Sequence, residues 1–412
     1  MELGCYLNPG FSFSNMQLSL FPDEENSASI PVDELFRAYM ACRKYKRGTA
    51  NALAFEIDYE SNLITLGEEI NNGTYQPGKS IAFIVNKPVK REIFAADFRD
   101  RVVHHLIINK LNPLFEKEFI YDSYACRAGK GTHFGIRRID RFIRQCSRNY
   151  TEDCYILKLD IKGFFMHIDK NILFKRLKAA INEKYTEQDK DLILELCRKV
   201  ISYHSANNCI IKGNKKNWKG IPPDKSLFSS PENCGLPIGN LTSQVFANFY
   251  MNSFDHLIKH NLKIRYYGRY VDDFVMIHSH KEYLKSIIPI IREYLYSNLG
   301  LVLHPNKIYL QHYSKGLSYL GAVIKSNRIY IGNRTKGNFY QAIQIHNKTA
   351  DHHKPDKSEI KLFQSSTNSY LGIMKHYKTF NIRKKMLYNI LSERLKKLFR
   401  TNIKFEKIII KK

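Results

Sequence analysis

Apolar and polar positions along the 412-residue chain fall into segments of two periods, one near 3.6 residues and one of two. The opening stretch, with "NPGFSFSNMQLSLFPDEENSASIP", is polar and turn-rich and predicts a loosely held arm over residues 1–30. From Val32, "VDELFRAYMACRKYKRGTANALAFEIDYESNLITLGEEI" carries apolar residues at helical spacing, with basic residues around Arg43 to Arg47. "SIAFIVNKPVKREIFAAD" alternates like a hairpin with proline in its tip. "FRDRVVHHLIINKLNPLFEKEF" then sets Val102, Val103, Leu106, Ile107 and Leu111 on one helical face. "TEDCYILKLDIKGFFMHID" predicts a strand whose apolar run ends at Asp160, and Lys170 to His204 predicts two helices. A basic loop with the chain's one tryptophan, Trp218, follows. "GLPIGNLTSQVFANFYMNSFDHLIKH" predicts a glycine turn opening a helix, and "GRYVDDFVMIHS" (Gly268 to Ser279) predicts a second hairpin. Beyond Gly332 the pattern is helical and basic. Residues Arg383 to Lys412 hold eleven Lys or Arg against two Glu, with Leu387, Leu391, Leu395 and Leu398 as an apolar stripe.

Composition narrows the partner. Hydrophobic residues make up 43% and aromatics 13%, enough for a real core. The formal net charge is +26, from 65 Lys and Arg against 39 Asp and Glu, which points to a polyanion, nucleic acid before a membrane surface. Eight scattered cysteines form no C-x-x-C pair, so neither a zinc site nor a disulfide framework is signalled, and the chain reads as reduced and cytoplasmic. Neither a secretion signal nor an apolar run long enough to span a membrane is visible.

Two adjacent carboxylates, Asp272 and Asp273, interrupt the apolar hairpin, and like charges there are costly unless a cation sits beside them. Asp160 closes an earlier strand. If both elements share a sheet, the three carboxylates converge. Mg²⁺ takes hard oxygen ligands, one or two protein carboxylates plus substrate phosphates. Two such ions clamp the attacking and leaving oxygens of an in-line phosphoryl transfer. An Asp-Asp pair is also what an ordinary surface hairpin turn carries.

The order of the motifs changes that balance. "LKLDIKGFF" (Leu157 to Phe165), "GLPIGNLTSQ" (Gly235 to Gln244), "YVDDF" (Tyr270 to Phe274), "LHPNKIYL" (Leu303 to Leu310) and "KGLSYLGAVI" (Lys315 to Ile324) resemble, in order, five motifs of the reverse transcriptases. "YDSYACRAGKGTHFGI" (Tyr121 to Ile136) and "GLPIGNLTSQVFANFY" resemble the enzymes of diversity-generating retroelements and related phage-defence reverse transcriptases. The likeness covers about residues 80 to 330. Most members carry Gln-Gly and then Ser-Pro in the glycine turn, where this chain has Ile238-Gly239 and Ser243-Gln244.

The resemblance implies Asp160, Asp272 and Asp273 as catalytic residues and ligands of two Mg²⁺ ions, with Mn²⁺ as a substitute. It implies nucleotide-binding roles for Lys90, Arg91, Phe165, Ile238, Gly239, Gln244 and Lys307. Among Lys87, Lys90 and Arg91, Arg91 is the first choice for the triphosphate, because a guanidinium binds phosphate bidentately. Phe165 would stack under the sugar and exclude a 2′-OH, or is a core residue beside Phe164. Ile238 offers no directional bond, which implies relaxed fidelity, or it simply packs the turn. The loop "CRAGKGTH" (Cys126 to His133) offers two glycines and two cations near a phosphate. Arg101, His104 and His105 read as helix residues facing template or core, with adjacent histidines pointing apart.

The expected fold class is α+β: a right-hand polymerase with fingers, an antiparallel-sheet palm and a helical thumb. The expected boundaries are 31–150 for fingers and the start of the palm, 151–325 for the palm, with 170–233 as a helical and basic-loop insertion, and 326–412 for a basic helical thumb. The expected function is RNA-directed DNA synthesis in a bacterial retroelement or antiviral defence system. Expected partners are an RNA template (a structured noncoding RNA), a DNA or RNA primer and dNTPs, with an accessory protein or a second copy as further options and no membrane. An RNA-dependent RNA polymerase and a non-catalytic RNA-binding scaffold are the alternatives. The aromatic at 165 argues against the first and the three retained aspartates against the second. No nuclease or maturase-like extension is visible after the thumb.

Overall fold

The computed structural model describes residues 29–44, 48–86 and 89–411. The expected arm over 1–30 therefore lies outside the described residues except at its end. There Ile30 is buried and exchanges two hydrogen bonds with the Asn71 side chain. Helices α1 (Val32–Arg43) and α2 (Ala50–Glu56) pack on the long α4 (Phe98–Glu118), and α3 (Tyr59–Asn71) packs against α1 and α2. Between them, β1 (Ser80–Val85) and β2 (Arg91–Ala95) form the expected hairpin. Asp97 caps α4 by accepting from the Arg99 amide at 3.1 Å, which satisfies one of the amides a helix start leaves open.

After α5 (Thr132–Cys146) comes β3 (Tyr155–Asp160), then a short α6 (Phe164–His167), and α7 (Lys170–Lys184) and α8 (Lys190–Ser202), the two helices expected there. The basic loop is not only a loop: its β4 (Cys209–Ile211) pairs parallel with β1 to give the sheet β2-β1-β4. Nothing in three apolar residues signals a partner 129 positions earlier. α9 (Leu241–Tyr250) and α10 (Asn252–His256) lead to β5 (Tyr266–Tyr270) and β6 (Asp273–His278). α11 (Lys281–Leu299) follows, a helix for which the sequence reading made no provision, and then β7 (Tyr309–His312).

Strands β5-β6-β3-β7 make one antiparallel sheet with helices on both faces. Side chains alternate across a strand. Leu157, Leu159, Phe274 and Met276 join the large core built with α4, α9, α10 and α11, whereas Ile156, Val275 and Ile277 join a second core with α5. Covering both faces explains why Phe274 to Ile277 is one unbroken apolar run rather than an alternating one.

A separate three-stranded sheet, β8 (Leu317–Tyr319), β9 (Ala322–Lys325) and β10 (Arg328–Ile331), closes that second core. Beyond it stand α12 (Asn333–His352), α13 (Lys357–Met374), α14 (Phe380–Lys385) and α15 (Glu393–Leu398) around their own apolar cluster. Leu387, Leu391 and Leu395 of the leucine stripe are buried there and Leu398 packs against it, as expected. The stripe is not one helix, however. The chain leaves the helix after Ile390, and the expected all-helical tail ends in a hairpin, β11 (Phe399–Thr401) and β12 (Ile408–Ile410). Isoleucines at 408–410 favour a strand over a helix because of their branched β-carbons.

Candidate active site

The β3–β6 register sets Asp160 directly opposite Asp273. Val271 and Asp272 form the two-residue turn between β5 and β6, so Asp272 lies at the tip and Asp273 already begins the strand. Val271 sits in the left-handed region at φ 57°, unusual for a β-branched residue, so neighbouring structure must hold it. Arg269 does so: its Nη1 donates to the Val271 carbonyl at 2.9 Å. The guanidinium is wholly buried and forked onto Asp255, Nε to Oδ1 at 2.7 Å and Nη2 to Oδ2 at 2.6 Å, with Tyr267 Oη adding a third donor to Asp255 at 2.6 Å.

Burial and the facing Asp160 push the Asp272 carboxyl up to about 6. Burial raises Asp273 to about 6 as well, against the pull of Lys158. Two ammonium groups stand on this carboxylate group: Lys307 Nζ lies 2.8 Å from Asp160 Oδ1, and Lys158 Nζ 3.1 Å from Asp273 Oδ2. Asp273 Oδ1 is buried with no hydrogen-bond partner. Hard carboxylate oxygens with raised affinity for a proton, an orphaned lone pair and lysines already drawn to them are what a divalent cation fits. Among the described residues no group of three His, Cys, Asp or Glu side chains is arranged to hold a metal ion by itself, so substrate oxygens would have to supply the rest of the coordination.

The glycine turn docks on the β1–β2 hairpin. The Ile238 carbonyl accepts from the Phe94 amide at 2.9 Å, and Asn240 Oδ1 accepts from the Ala96 amide at 3.0 Å. A β-carbon on Gly239, at φ 131°, would lie 2.9 Å from Ile93 Cγ2. The Ile238 side chain packs on the small cluster of Ala82, Phe94, Met166 and Leu227. Phe165 is half-buried beside the same cluster and meets Phe164 edge-on at 5.5 Å. Gln244 Oε1 accepts from Cys126 Sγ at 2.7 Å. Lys90 donates to the Lys219 carbonyl at 2.8 Å, Arg91 is exposed, and Lys87 lies outside the described residues.

One expectation changes. The cations of the Cys126–His133 loop serve the protein itself. Arg127 is buried on Glu116 and on the Ile120 and Ser123 carbonyls, and Lys130 donates to the Tyr121 carbonyl at 2.6 Å, with burial and Arg127 bringing it down to about 8. Of the helix residues expected to face template or core, Arg101 donates to the Ala96 carbonyl and His104 faces the core. Three residues went unnoticed in the sequence. Lys158 stands two positions before Asp160, hence on the same strand face, which was the available signal. Arg269 was legible as a charge inside an apolar strand, but Asp255 carried no mark.

A model of the family described as reverse transcriptase (RNA-dependent DNA polymerase) matches residues 86–324, more than half of the chain. Protein YkfC of Escherichia coli (strain K12) is 22% identical over 285 residues, covering 61% of this chain and 68% of that protein. Nuclear intron maturase 1, mitochondrial, of Arabidopsis thaliana is 28% identical over 87 residues, 21% of this chain and 11% of the maturase. Among solved structures, telomerase from Candida albicans with a TWJ fragment of telomeric RNA has a TM-score of 0.44 at 13% identity, over 77% of this chain and 59% of that one. Apo telomerase from Candida Tropicalis has a TM-score of 0.48 at 15% identity, over 76% and 56%. This chain thus spans less than three fifths of either telomerase chain. The chain belongs to the reverse transcriptase family, with that family's α+β right-hand polymerase fold and the enzyme class of an RNA-directed DNA polymerase, a nucleotidyltransferase.

Proposed function

We propose that this chain copies an RNA template into DNA at the Asp160, Asp272 and Asp273 site. The observation that carries this reading is the β3–β6 register, which brings a strand-end carboxylate opposite a hairpin pair whose own carboxyls are raised to about 6. Asp160 and Asp272 would hold Mg²⁺, or Mn²⁺ in its place, with Asp273 completing the charge. When bound, the ions lower the energy of the charge that develops on the transferring phosphate. Lys307, freed from Asp160, would meet the departing pyrophosphate. Arg269 and Asp255 fix the turn so that the Asp272 carboxylate does not have to be ordered at the moment of reaction.

Around that centre, residues 31–150 serve as fingers and the start of the palm, 151–325 as palm and 326–412 as thumb. Lys90 and Arg91 take the triphosphate. Phe165 lies under the sugar, and Ile238, Gly239 and Gln244 line the base pair. The net charge of +26 suits a structured RNA template and a DNA or RNA primer. Membership of the diversity-generating or phage-defence type rests on the motif likeness, and a cytoplasmic setting on the scattered cysteines. Among the described residues no helix is long and apolar enough to cross a membrane. The test is primer extension on an RNA template with dNTPs and, separately, NTPs in Mg²⁺. Extension with dNTPs alone supports the reading; extension with NTPs alone, or none with either, overturns it.

A further inference from the structure

The insertion between α8 and α9 carries five exposed lysines, Lys212, Lys215, Lys216, Lys219 and Lys225, within fourteen residues. Elsewhere this protein pairs many of its cations with acids, as at Lys110 with Glu34 and Asp189 or Lys184 with Glu118. Among the described residues none of these five lysines stands in an ion pair. A loop with such repulsion would ordinarily be left slack and solvated. This one is held down.

Three bonds from one buried carboxylate hold it. Glu92, on β2, is almost wholly buried and accepts from Trp218 Nε1 at 2.6 Å, Ser226 Oγ at 2.7 Å and the Leu227 amide at 2.6 Å. A buried carboxylate is tolerated only when its oxygens are satisfied, and here the donors all come from the insertion. β4 anchors the start of the segment to β1. At the far end the segment lies on the turn after Asp160, where a β-carbon on Gly163 would collide with the Asp224 carbonyl. The lysines are therefore displayed on a fixed path from the β1–β2 hairpin to the carboxylate turn.

We propose that residues 212–225 are a cationic strap that holds the phosphate backbone of the single-stranded RNA template as it enters between hairpin and site. A single nucleotide triphosphate does not need five further cations beside Lys90 and Arg91. A strand presents one charge per nucleotide along such a path. Holding the lysines in place before binding removes part of the ordering cost. This inference rests on the reading of the chain as an RNA-copying enzyme.

The test is the salt dependence of single-stranded RNA binding by the full chain, with Lys212→Gln, Lys215→Gln, Lys216→Gln and Lys219→Gln combined. Each phosphate contact to a single strand contributes about 0.7 to the slope of log affinity against log salt, so four lost contacts lower it by about 3. KM for dNTP at saturating template keeps its parental value. An unchanged slope overturns the strap, and an unchanged slope with raised dNTP KM reassigns the lysines to the triphosphate. Glu92→Gln keeps every lysine but weakens the pin: the slope stays parental and RNA affinity falls several-fold. Parental affinity in that variant overturns the role of the pin. A parent that binds RNA yet extends no primer would sink the RNA-copying reading, while the slope comparison would still judge the strap.

Discussion

Asp255→Leu removes the partner of a wholly buried guanidinium. Arg269 loses two bonds of 2.6–2.7 Å, and Tyr267 Oη loses its acceptor. Leaving a buried charge unpaired costs ~3–5 kcal/mol, and the orphaned phenol adds ~1–3 kcal/mol. Urea unfolding followed by far-UV circular dichroism should therefore show a loss of roughly 4–8 kcal/mol from the sum of those terms. Adding Arg269→Met removes the stranded charge, so the double variant should be more stable than Asp255→Leu alone. Primer extension separates stability from positioning. The double variant has no donor for the Val271 carbonyl, so a turn held at φ 57° relaxes and carries Asp272 with it. A displacement near 1 Å costs on the order of 10²-fold in rate. The expected outcome is a folded double variant that binds RNA normally and extends primers about 10²-fold more slowly. Parental extension by the double variant would refute the positioning role. A double variant no more stable than Asp255→Leu would refute the account of a stranded charge.

Asp272→Asn with Asp273→Asn should abolish extension and leave RNA affinity intact, since affinity comes from a broad basic surface; extension above a no-enzyme control in Mg²⁺ contradicts the assignment. Phe165→Val should admit ribonucleotides by vacating space beside the sugar, and unchanged dNTP-to-rNTP discrimination would make Phe165 a core residue. His104 is buried, its Nδ1 has no hydrogen-bond partner, and burial, then His105 and Arg101, lower it from 6.5 to about 3. The folded state therefore keeps His104 neutral while the unfolded chain takes up a proton below 6.5, so this contribution is complete above 6.5 and is lost as pH falls toward 3. About 2 kcal/mol should go between pH 6.5 and 5. Urea midpoints at pH 7.5 and 5 should converge in His104→Gln, and an equal pH dependence in variant and parent would exclude His104 as the cause.

The two hairpins, the strand ending at Asp160 and the glycine turn before α9 were legible because each is specified by period and punctuation within about twenty residues. The leucine stripe was legible as core for the same reason, although its break after Ile390 was not. What the sequence left open is pairing. Lys158 with Asp273, Arg269 with Asp255, Glu92 with Trp218 and β4 with β1 each join positions whose local patterns are indifferent to one another. Several acids lay along the chain, any of which suited Arg269 by charge. Only the packing of α10 under β5 selects Asp255. The sequence by itself determined which segments form strands and helices and which residue types could do the chemistry, since these depend on side-chain period and intrinsic chemistry. The tertiary structure decided which charges meet and which are buried, because a hydrogen bond or ion pair acts over a few ångströms of space, whatever the separation along the chain.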